Sequence, residues 1–207
     1  MRFGMIGAGT LAQAIASHAL DTGHEVVFSN RRGPDSLADL VARLGPNASA
    51  GTIDDVGGTD IVVLAVNWTQ VPDALAALPP RPGRILVDAT NQWVEPPPAA
   101  VVDTSLSVGG SEFVASLVPD AHVIKAFDNM YGPKIAEDPI TPTGRRVLFY
   151  AGDDEPSKRR FRAVADGFGY APVDLGPLVM GRLMQVDGPL TGLHAIREEL
   201  GHPLGMP

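Results

Sequence analysis

The chain of 207 residues contains no cysteine, and this absence excludes disulfide bonds, thiolate catalysis and thiolate metal sites together. Acidic residues also outnumber basic ones: 16 Lys and Arg stand against 24 Asp and Glu, for a formal net charge of −8. That balance argues against a nucleic-acid-binding protein and against docking on an anionic membrane surface. Any attraction of an anionic ligand must therefore be local.

Membrane and targeting signals are missing as well. No uninterrupted apolar run reaches the roughly 18 residues that a membrane-spanning helix requires. The apolar segment at the N-terminus breaks at Gly7 and does not have the form of a leader peptide. We therefore expect a cytoplasmic protein with no membrane partner. The histidines form no ligand pair with supporting carboxylates, so no metal site is predicted.

The strongest signal that is present lies in the first fourteen residues. Residues 2–6 have the composition of a short strand, and an apolar face at helical spacing follows. Between them, Gly7, Gly9 and Ala12 fit the dinucleotide fingerprint G-x-G-x-x-G/A. The first glycine permits the tight turn, the second lets the backbone approach a pyrophosphate, and the small third residue lets the helix pack on the strand. The helix start then offers free N–H groups and a positive dipole end to the anion.

The end of the second predicted strand, residues 25–29, indicates which dinucleotide is bound. A site that prefers NAD has an Asp or Glu there for the ribose hydroxyls, whereas this chain has Ser29-Asn30-Arg31-Arg32. Two guanidinium groups can pair with the 2′-phosphate of NADP through forked hydrogen bonds. The alternative is that both arginines are merely solvated surface residues.

Two further strands are predicted, at residues 60–66 and 83–88, and their carboxyl ends supply more candidate contacts. Ligands of open α/β sheets lie beyond these ends. Trp68 either stacks on the adenine or packs in the core, and Asp88 either contacts the ligand or caps its loop. The candidate cofactor contacts here are Ala65, Val66, Asn67, Asp88, Ala89, Thr90 and Asn91.

A later strand, residues 121–126, ends in a segment rich in polar and aromatic residues, Phe127 to Pro133. It is the first choice for the nicotinamide and substrate end, with Phe127, Asn129 and Met130 as candidate substrate contacts. Asn129 and Tyr131 are weak catalytic candidates. The alternative is an ordinary strand-to-helix turn with a capping side chain.

Two further segments carry predictions about a lid and about a C-terminal helix. Residues 91–107 form a proline-rich excursion without clear periodicity, and a long loop at this edge is a candidate lid. Residues 176–200 carry apolar side chains at steps of three and four, which predicts a helix kinked at Gly188-Pro189. Such a helix would pack within the monomer or form the seam of a homodimer.

Taken together, these motifs resemble the NADP-dependent oxidoreductases related to NADPH:coenzyme F420 oxidoreductase, in their broad bacterial branch. The resemblance rests on the glycine turn, on Ser29 to Arg32, on Val87 to Asn91, on Ile124 to Asn129 and on the segment from Gly176. It implies a Rossmann-type α/β fold, a doubly wound and mainly parallel sheet with a small C-terminal lobe packed on it. The implied domains are residues 1–126 for the dinucleotide and 127–207 for the substrate side. By matching positions, the implied cofactor residues are Gly7, Gly9, Thr10, Leu11, Ser29, Asn30, Arg31 and Arg32.

The resemblance also implies hydride transfer between NADP(H) and a deazaflavin (F420) or flavin-like acceptor. Such a reaction asks the protein mainly for orientation and exclusion of water. A carbonyl or imine reductase is the alternative, and it would need a proton donor, for which Tyr131, Asp128 and Lys125 are candidates. A non-catalytic NADPH sensor or adaptor is a third hypothesis. Lys134 and Arg182 are the candidate partners for the polyanionic F420 tail.

Overall fold

The computed structural model describes residues 1–198. Within this range the strands are β1 Arg2–Ile6, β2 Glu25–Ser29, β3 Ala48–Ala50, β4 Ile61–Leu64, β5 Arg84–Asp88, β6 Trp93–Glu95, β7 Val101–Val102, β8 Ala121–Ala126, β9 Ile140–Thr141, β10 Gly144–Gly152, β11 Ala171–Asp174 and β12 Ile196–Glu198. The α-helices are α1 Thr10–Asp21, α2 Ala38–Leu44, α3 Ile53–Gly57, α4 Val71–Ala76, α5 Gly110–Leu117, α6 Gly132–Ile135 and α7 Glu155–Gly167. Short 3₁₀ helices span Pro34–Leu37, Trp68–Gln70 and Leu178–Leu183.

The main sheet has the strand order β11-β10-β8-β5-β4-β1-β2-β3. From β3 to β8 all neighbours are parallel, and β10 joins the edge of β8 antiparallel. The chain builds outward from β1 to β2 and β3 on one side, then returns to β4, β5 and β8 on the other. Strand order therefore reverses between β1 and β4, and open α/β sheets bind their ligands beyond the carboxyl ends of the strands at such a point. The predicted Rossmann-type fold is confirmed.

Alternation of side chains along the strands produces two apolar cores, one on each face of the sheet. In β4, Ile61 and Val63 join the core beneath α1, whereas Val62 and Leu64 join the core that contains Val71 and other residues of α4. A strand whose two faces are both covered must be apolar at every position. This explains why β4 is an uninterrupted apolar run, and that run is the feature from which the strand was predicted.

The segment after residue 126 contributes to the same sheet. Strand β10 pairs with β8, and β11 pairs with β10 in parallel. The division into domains at residues 1–126 and 127–207 stays a prediction. Strands β10 and β11, which belong to the second of these domains, extend the sheet of the first. The excursion at 91–107 is partly ordered as a two-stranded hairpin of β6 and β7.

The prediction of a helix over residues 176–200 is wrong for the residues that the structure describes. Only Leu178–Leu183 is helical, as a 3₁₀ segment, and β12 pairs antiparallel with β10. The chain turns tightly at Gly188 and does not continue as a helix. The turn brings Gly188 so close to the preceding segment that a Cβ there would lie 2.5 Å from the carbonyl oxygens of Arg182 and Leu183. Leu200, at the end of the predicted stripe, lies outside the described residues. The homodimer stays a prediction. The long helix that was predicted as its interface is absent from the described residues.

Across residues 1–198, no helix combines the length and apolar character needed to span a bilayer.

Candidate functional site: a dinucleotide crevice at the switch point

A crevice of about 710 Å³ opens beyond the carboxyl ends of β1, β2 and β4, at the reversal of strand order. The sequence-predicted residues that line it are Gly7, Gly9, Ser29, Asn30, Arg31, Arg32, Ala65, Val66 and Asn67. Two more, Thr10 and Leu11, open helix α1 directly beside the turn. The structure thus brings together the predicted phosphate turn, the predicted ribose end and the end of β4.

The two glycines of the turn have different structural roles. Gly7 has a φ of +111°, and a Cβ there would lie 2.3 Å from the carbonyl oxygen of Ala65, so the fold itself requires glycine. Gly9 has an extended conformation, with φ −75° and ψ −179°, and a Cβ there would meet nothing within 4 Å. Glycine at position 9 is therefore not needed by the fold and leaves free space in front of helix α1.

The start of helix α1 remains available to an anion. Gly9 is its N-cap, no side chain caps it, and its first turn contains no acidic residue. The first N–H groups of a helix have no partner within the helix, and they carry its positive dipole end. The open space at Gly9 and these N–H groups together fit a pyrophosphate.

The end of β2 supplies the only positive charge among the residues that line the crevice. Arg31 and Arg32 are exposed, and within residues 1–198 neither guanidinium forms an ion pair or a hydrogen bond. The turn that presents them is held by Asn30, whose side-chain oxygen accepts from the backbone N–H of Arg32 at 2.9 Å. The nearby carboxylate, Asp35, lies in the first turn of the 3₁₀ helix that follows. Two cations without partners fit a phosphate better than they fit neutral ribose hydroxyls.

At the end of β5 the predicted contacts point into the protein. Asp88 and Thr90 are buried, and one oxygen of Asp88 accepts from the backbone N–H and the hydroxyl of Thr90, at 2.9 and 2.7 Å. The other oxygen accepts from Ser111 and lies 3.2 Å from the Nζ of Lys125. Ala89 is buried in the apolar core. These three residues hold the loop in place and do not face the crevice.

Asn91 ties this loop to the end of β8 and to the C-terminal segment. Its side-chain nitrogen donates to the carbonyl of Asp128 at 2.7 Å, and its oxygen accepts from the backbone N–H of Val186 at 2.8 Å. Asn129 is also covered, because its carbonyl accepts from the N–H of Gly192 at 2.8 Å. Residues 184–193 thus form a strap across the end of β8.

Other aromatic candidates lie in the core. Phe127 has a φ of +68°, is 1% exposed, and packs edge-on against Phe161 and Tyr170. This placement does not support its predicted contact with a ligand ring. Met130 is likewise buried. Trp68 packs against Phe113 in the core and does not line the crevice, so its suggested stacking on adenine is not supported.

Tyr131, in contrast, is 65% exposed and makes a T-shaped contact with His194 of the C-terminal segment. The next residue, Gly132, packs closely on the start of helix α1: a Cβ there would lie 3.0 Å from the Thr10 side chain and 3.1 Å from the backbone nitrogen of Leu11. Tyr131 therefore lies next to a residue packed on the start of α1, and most of its ring is exposed.

Comparison with known proteins identifies the relatives of this chain. Residues 2–92 match the family described as NADP oxidoreductase, coenzyme F420-dependent. A hypothetical protein from Sinorhizobium meliloti is 32% identical, with a TM-score of 0.88 over 96% of both chains. The chain belongs to this NADP oxidoreductase family.

Two further proteins, one solved structure and one sequence relative, are also similar to this chain. A putative F420-dependent NADP-reductase from Arthrobacter sp. FB24 superposes with a TM-score of 0.76 at 23% identity, over 88% of this chain and 87% of that one. The metalloreductase STEAP3 of Rattus norvegicus is 25% identical over 183 residues, which are 87% of this chain. This chain spans 35% of the length of that metalloreductase.

In this member of the NADP oxidoreductase family, the crevice is also lined by residues that were not predicted from the sequence. Gly51, Thr52 and Ile53 follow β3 and also line the crevice. Strand β3, of sequence Ala-Ser-Ala, has too little apolar pattern to predict. A signal was present nonetheless, because Thr52 and Asp55 have capping-box spacing and form that box at the start of α3. The remaining missed lining residues are Ile6, Ala8, Gly33, Pro34, Gln70, Asp73, Ala74 and Ala77.

Proposed function

We propose that this family member transfers a hydride between NADP(H) and a flat, flavin-like or deazaflavin acceptor. The observation that carries the proposal is the pair of guanidinium groups at the end of β2, which have no partner among the described residues 1–198 and share one crevice with an uncapped helix start. A dinucleotide with a phosphate on its adenosine ribose matches both features. The family description, which names NADP and coenzyme F420, supports the same reading.

Each part of the crevice has its own role in this proposal. Arg31 and Arg32 bind the 2′-phosphate, and the N–H groups at the start of α1 bind the pyrophosphate in the space that Gly9 leaves free. Bound NADPH would supply the hydride. The task of the protein is then to orient the two rings and to exclude water from between them.

The acceptor side is proposed to lie at Tyr131. Its exposed ring beside the helix start offers a flat apolar surface to an aromatic acceptor, and His194 supports the ring from the C-terminal segment. A hydride acceptor of the flavin type needs no proton donor in van der Waals contact with its ring for the hydride step itself. Asn129 is buried beneath the strap of residues 184–193 and is bonded to it. In this proposal it therefore acts through the strap and is not a solvent-exposed group.

The cations expected to hold a polyanionic F420 tail are already engaged. Arg182 pairs with Glu112 at 2.7 Å, and Lys134 pairs with Glu137 at 2.7 Å. Binding of a long anionic tail at either place would have to displace a carboxylate. This favours an acceptor with a shorter tail than that of F420, such as FMN, within the proposed class.

An acceptor panel tests the proposal. Purified protein is given NADPH with F420, FMN, FAD or a cyclic imine, and NADPH oxidation is followed by absorbance. We expect turnover with at least one flavin or deazaflavin, and a large loss of turnover in the Arg31→Glu/Arg32→Glu variant at the same NADPH concentration. Turnover with the imine alone would favour the carbonyl and imine reductase class. Tight NADPH binding without turnover on any acceptor would refute the enzymatic proposal and favour a sensor.

The small-molecule redox acceptor, the absence of nucleic-acid and membrane partners, the homodimer and the cytoplasmic location stay predictions from the sequence.

A further inference from the structure

A buried group of three charged side chains lies at the carboxyl ends of β5 and β8. Lys125 is 1% exposed, and its Nζ lies 3.2 Å from Asp88 Oδ2 and 3.3 Å from Asp128 Oδ2. The same Nζ donates to the carbonyl of Thr90. Asp88 and Asp128 are 0% and 3% exposed. We refer to Asp88, Lys125 and Asp128 as the buried charge cluster.

The buried charge cluster is not electrically balanced. One ammonium and two carboxylates sum to −1 when all three are ionised, and a net charge away from water is costly. Asp88 receives hydrogen bonds from Thr90 and Ser111, whereas within residues 1–198 Asp128 has the Lys125 ammonium at 3.3 Å and no hydrogen bond of good geometry to either carboxyl oxygen. Asp128 is therefore the member best suited to take up a proton. A proton on Asp128 makes the cluster neutral.

The electrostatic surroundings agree with this assignment. Burial raises the pKa of Asp128 to about 6; Lys125 opposes this shift and Asp88 adds to it. On helix α5 and the Leu178–Leu183 segment, which pack on β8, the charged groups are Glu112 and Arg182, and these pair with each other. Strand β10, on the outer side of β8, places Ala151 beside Lys125, and its Arg146 and Arg145 lie five and six residues earlier in that strand. Asp187 and His194 of the C-terminal segment are exposed. The cluster thus changes its charge between 0 and −1 close to neutral pH.

The cluster lies on the side of the crevice that remains for the nicotinamide. In the strand register, Leu64 of β4 stands beside Asp88 of β5, and Asp88 stands beside Lys125 of β8. Leu64 immediately precedes the lining residue Ala65. Neighbouring strands are about 4.8 Å apart, so the cluster lies roughly 5–10 Å from that wall of the crevice. With the 2′-phosphate at β2 and the pyrophosphate at β1, a dinucleotide continues toward β4 and β5.

We propose that the buried charge cluster sets the preference of the site for the oxidised over the reduced cofactor. This inference rests on the proposed binding of NADP(H). Loss of a hydride, which is two electrons and one proton, leaves the neutral dihydronicotinamide ring with one positive charge. A cluster of charge −1 stabilises that cationic ring, and protonation of Asp128 removes the stabilisation. By linkage, the oxidised cofactor in turn favours ionised Asp128.

Binding measurements without any acceptor test this proposal. The dissociation constants of NADP⁺ and NADPH are measured between pH 5 and pH 8 for the wild type and for Asp128→Asn. Asparagine keeps the shape of the side chain but holds the cluster neutral at every pH. The 2′-phosphate also titrates near pH 6, but it is common to both cofactors and cancels in the ratio of the two constants. Asp120→Asn, at an exposed position before β8, is the matched control.

In the wild type and in Asp120→Asn we expect the preference for NADP⁺ over NADPH to rise by about fivefold or more as pH increases through 6. In Asp128→Asn we expect a ratio that does not change with pH. Carbon-13 spectra of aspartate-labelled protein provide a second readout, in which one carboxyl titrates near pH 6 and moves to lower pH when NADP⁺ binds. A pH-independent ratio in the wild type would overturn the inference even if the variant did not fold. Failure of both cofactors to bind would instead overturn the proposed function.

Discussion

The substitution Gly9→Ala distinguishes the role of Gly9 in folding from its proposed role in cofactor binding. The conformation of Gly9, φ −75° and ψ −179°, is one that alanine adopts freely, and the new methyl group would meet no protein atom within 4 Å. In the proposed complex that same space holds the pyrophosphate. We therefore expect Gly9→Ala to fold normally and to bind NADPH poorly.

The two magnitudes follow from this geometry. A glycine-to-alanine change at a compatible conformation stabilises a protein by about 0.4–1 kcal/mol, which raises the melting temperature of a chain of this size by up to roughly 4 °C. The methyl group pushes the phosphate away from the helix start and forfeits at least one charge-assisted hydrogen bond, worth about 1.5–3 kcal/mol. That loss corresponds to a rise in Kd of roughly 10- to 100-fold.

Thermal unfolding and calorimetric titration with NADPH measure the two effects on the same sample. Gly58→Ala is a suitable control, because its φ is −79° and a Cβ there makes only ordinary contacts at 3.5 Å and beyond, outside the crevice. It should raise the melting temperature by a similar amount and leave the Kd for NADPH unchanged. An unaltered Kd in Gly9→Ala would refute the assignment of this turn as the pyrophosphate cradle.

Three further predictions concern other parts of the molecule. Arg31→Glu with Arg32→Glu should weaken NADPH binding at least tenfold more than NADH binding, measured by titration; an equal loss for both would mean that the pair does not bind the 2′-phosphate. The pKa of Asp128 is raised from 3.8 to about 6 in the folded protein, so its stabilising contribution is complete below pH 4 and is lost as pH rises through 6. Asp128→Asn should therefore become more stable relative to wild type between pH 4 and pH 7, by about 3 kcal/mol for about two pKa units, and a constant difference in denaturant unfolding would contradict this. Trp68→Phe removes the 2.9 Å hydrogen bond from Trp68 to Asp103; we expect faster hydrogen exchange in the β6–β7 hairpin with less than a twofold change in NADPH affinity, and unchanged exchange would show that this bond does not anchor the hairpin.

The structure could be predicted from the sequence at positions where the local sequence pattern and the overall fold require the same residue type. The run Ile61–Leu64 has to be a strand covered on both faces, and Gly7 has to be glycine because of both its φ and its contact with Ala65. Such positions are overdetermined. The fingerprint, the first strands and the position of Arg31 and Arg32 at the end of β2 were therefore all predictable.

Other features depended on partners far along the chain. Asp88 follows a strand at the ligand edge, but only the structure reveals that its carboxylate turns toward Lys125, 37 residues later. The apolar spacing after Gly176 imitated a helix, although the segment is a 3₁₀ turn followed by a strap and a short strand. Local patterns cannot distinguish these outcomes, because tertiary contacts decide them.

The most direct test of the account is a calorimetric titration of the purified protein with NADPH and, separately, with NADH. The account predicts saturable binding of one NADPH per chain, with a Kd at least about tenfold lower than that of NADH, because each tenfold step requires about 1.4 kcal/mol and the two arginines supply at least that much toward the additional phosphate. No heat with NADPH, or equal affinity for the two cofactors, would contradict it.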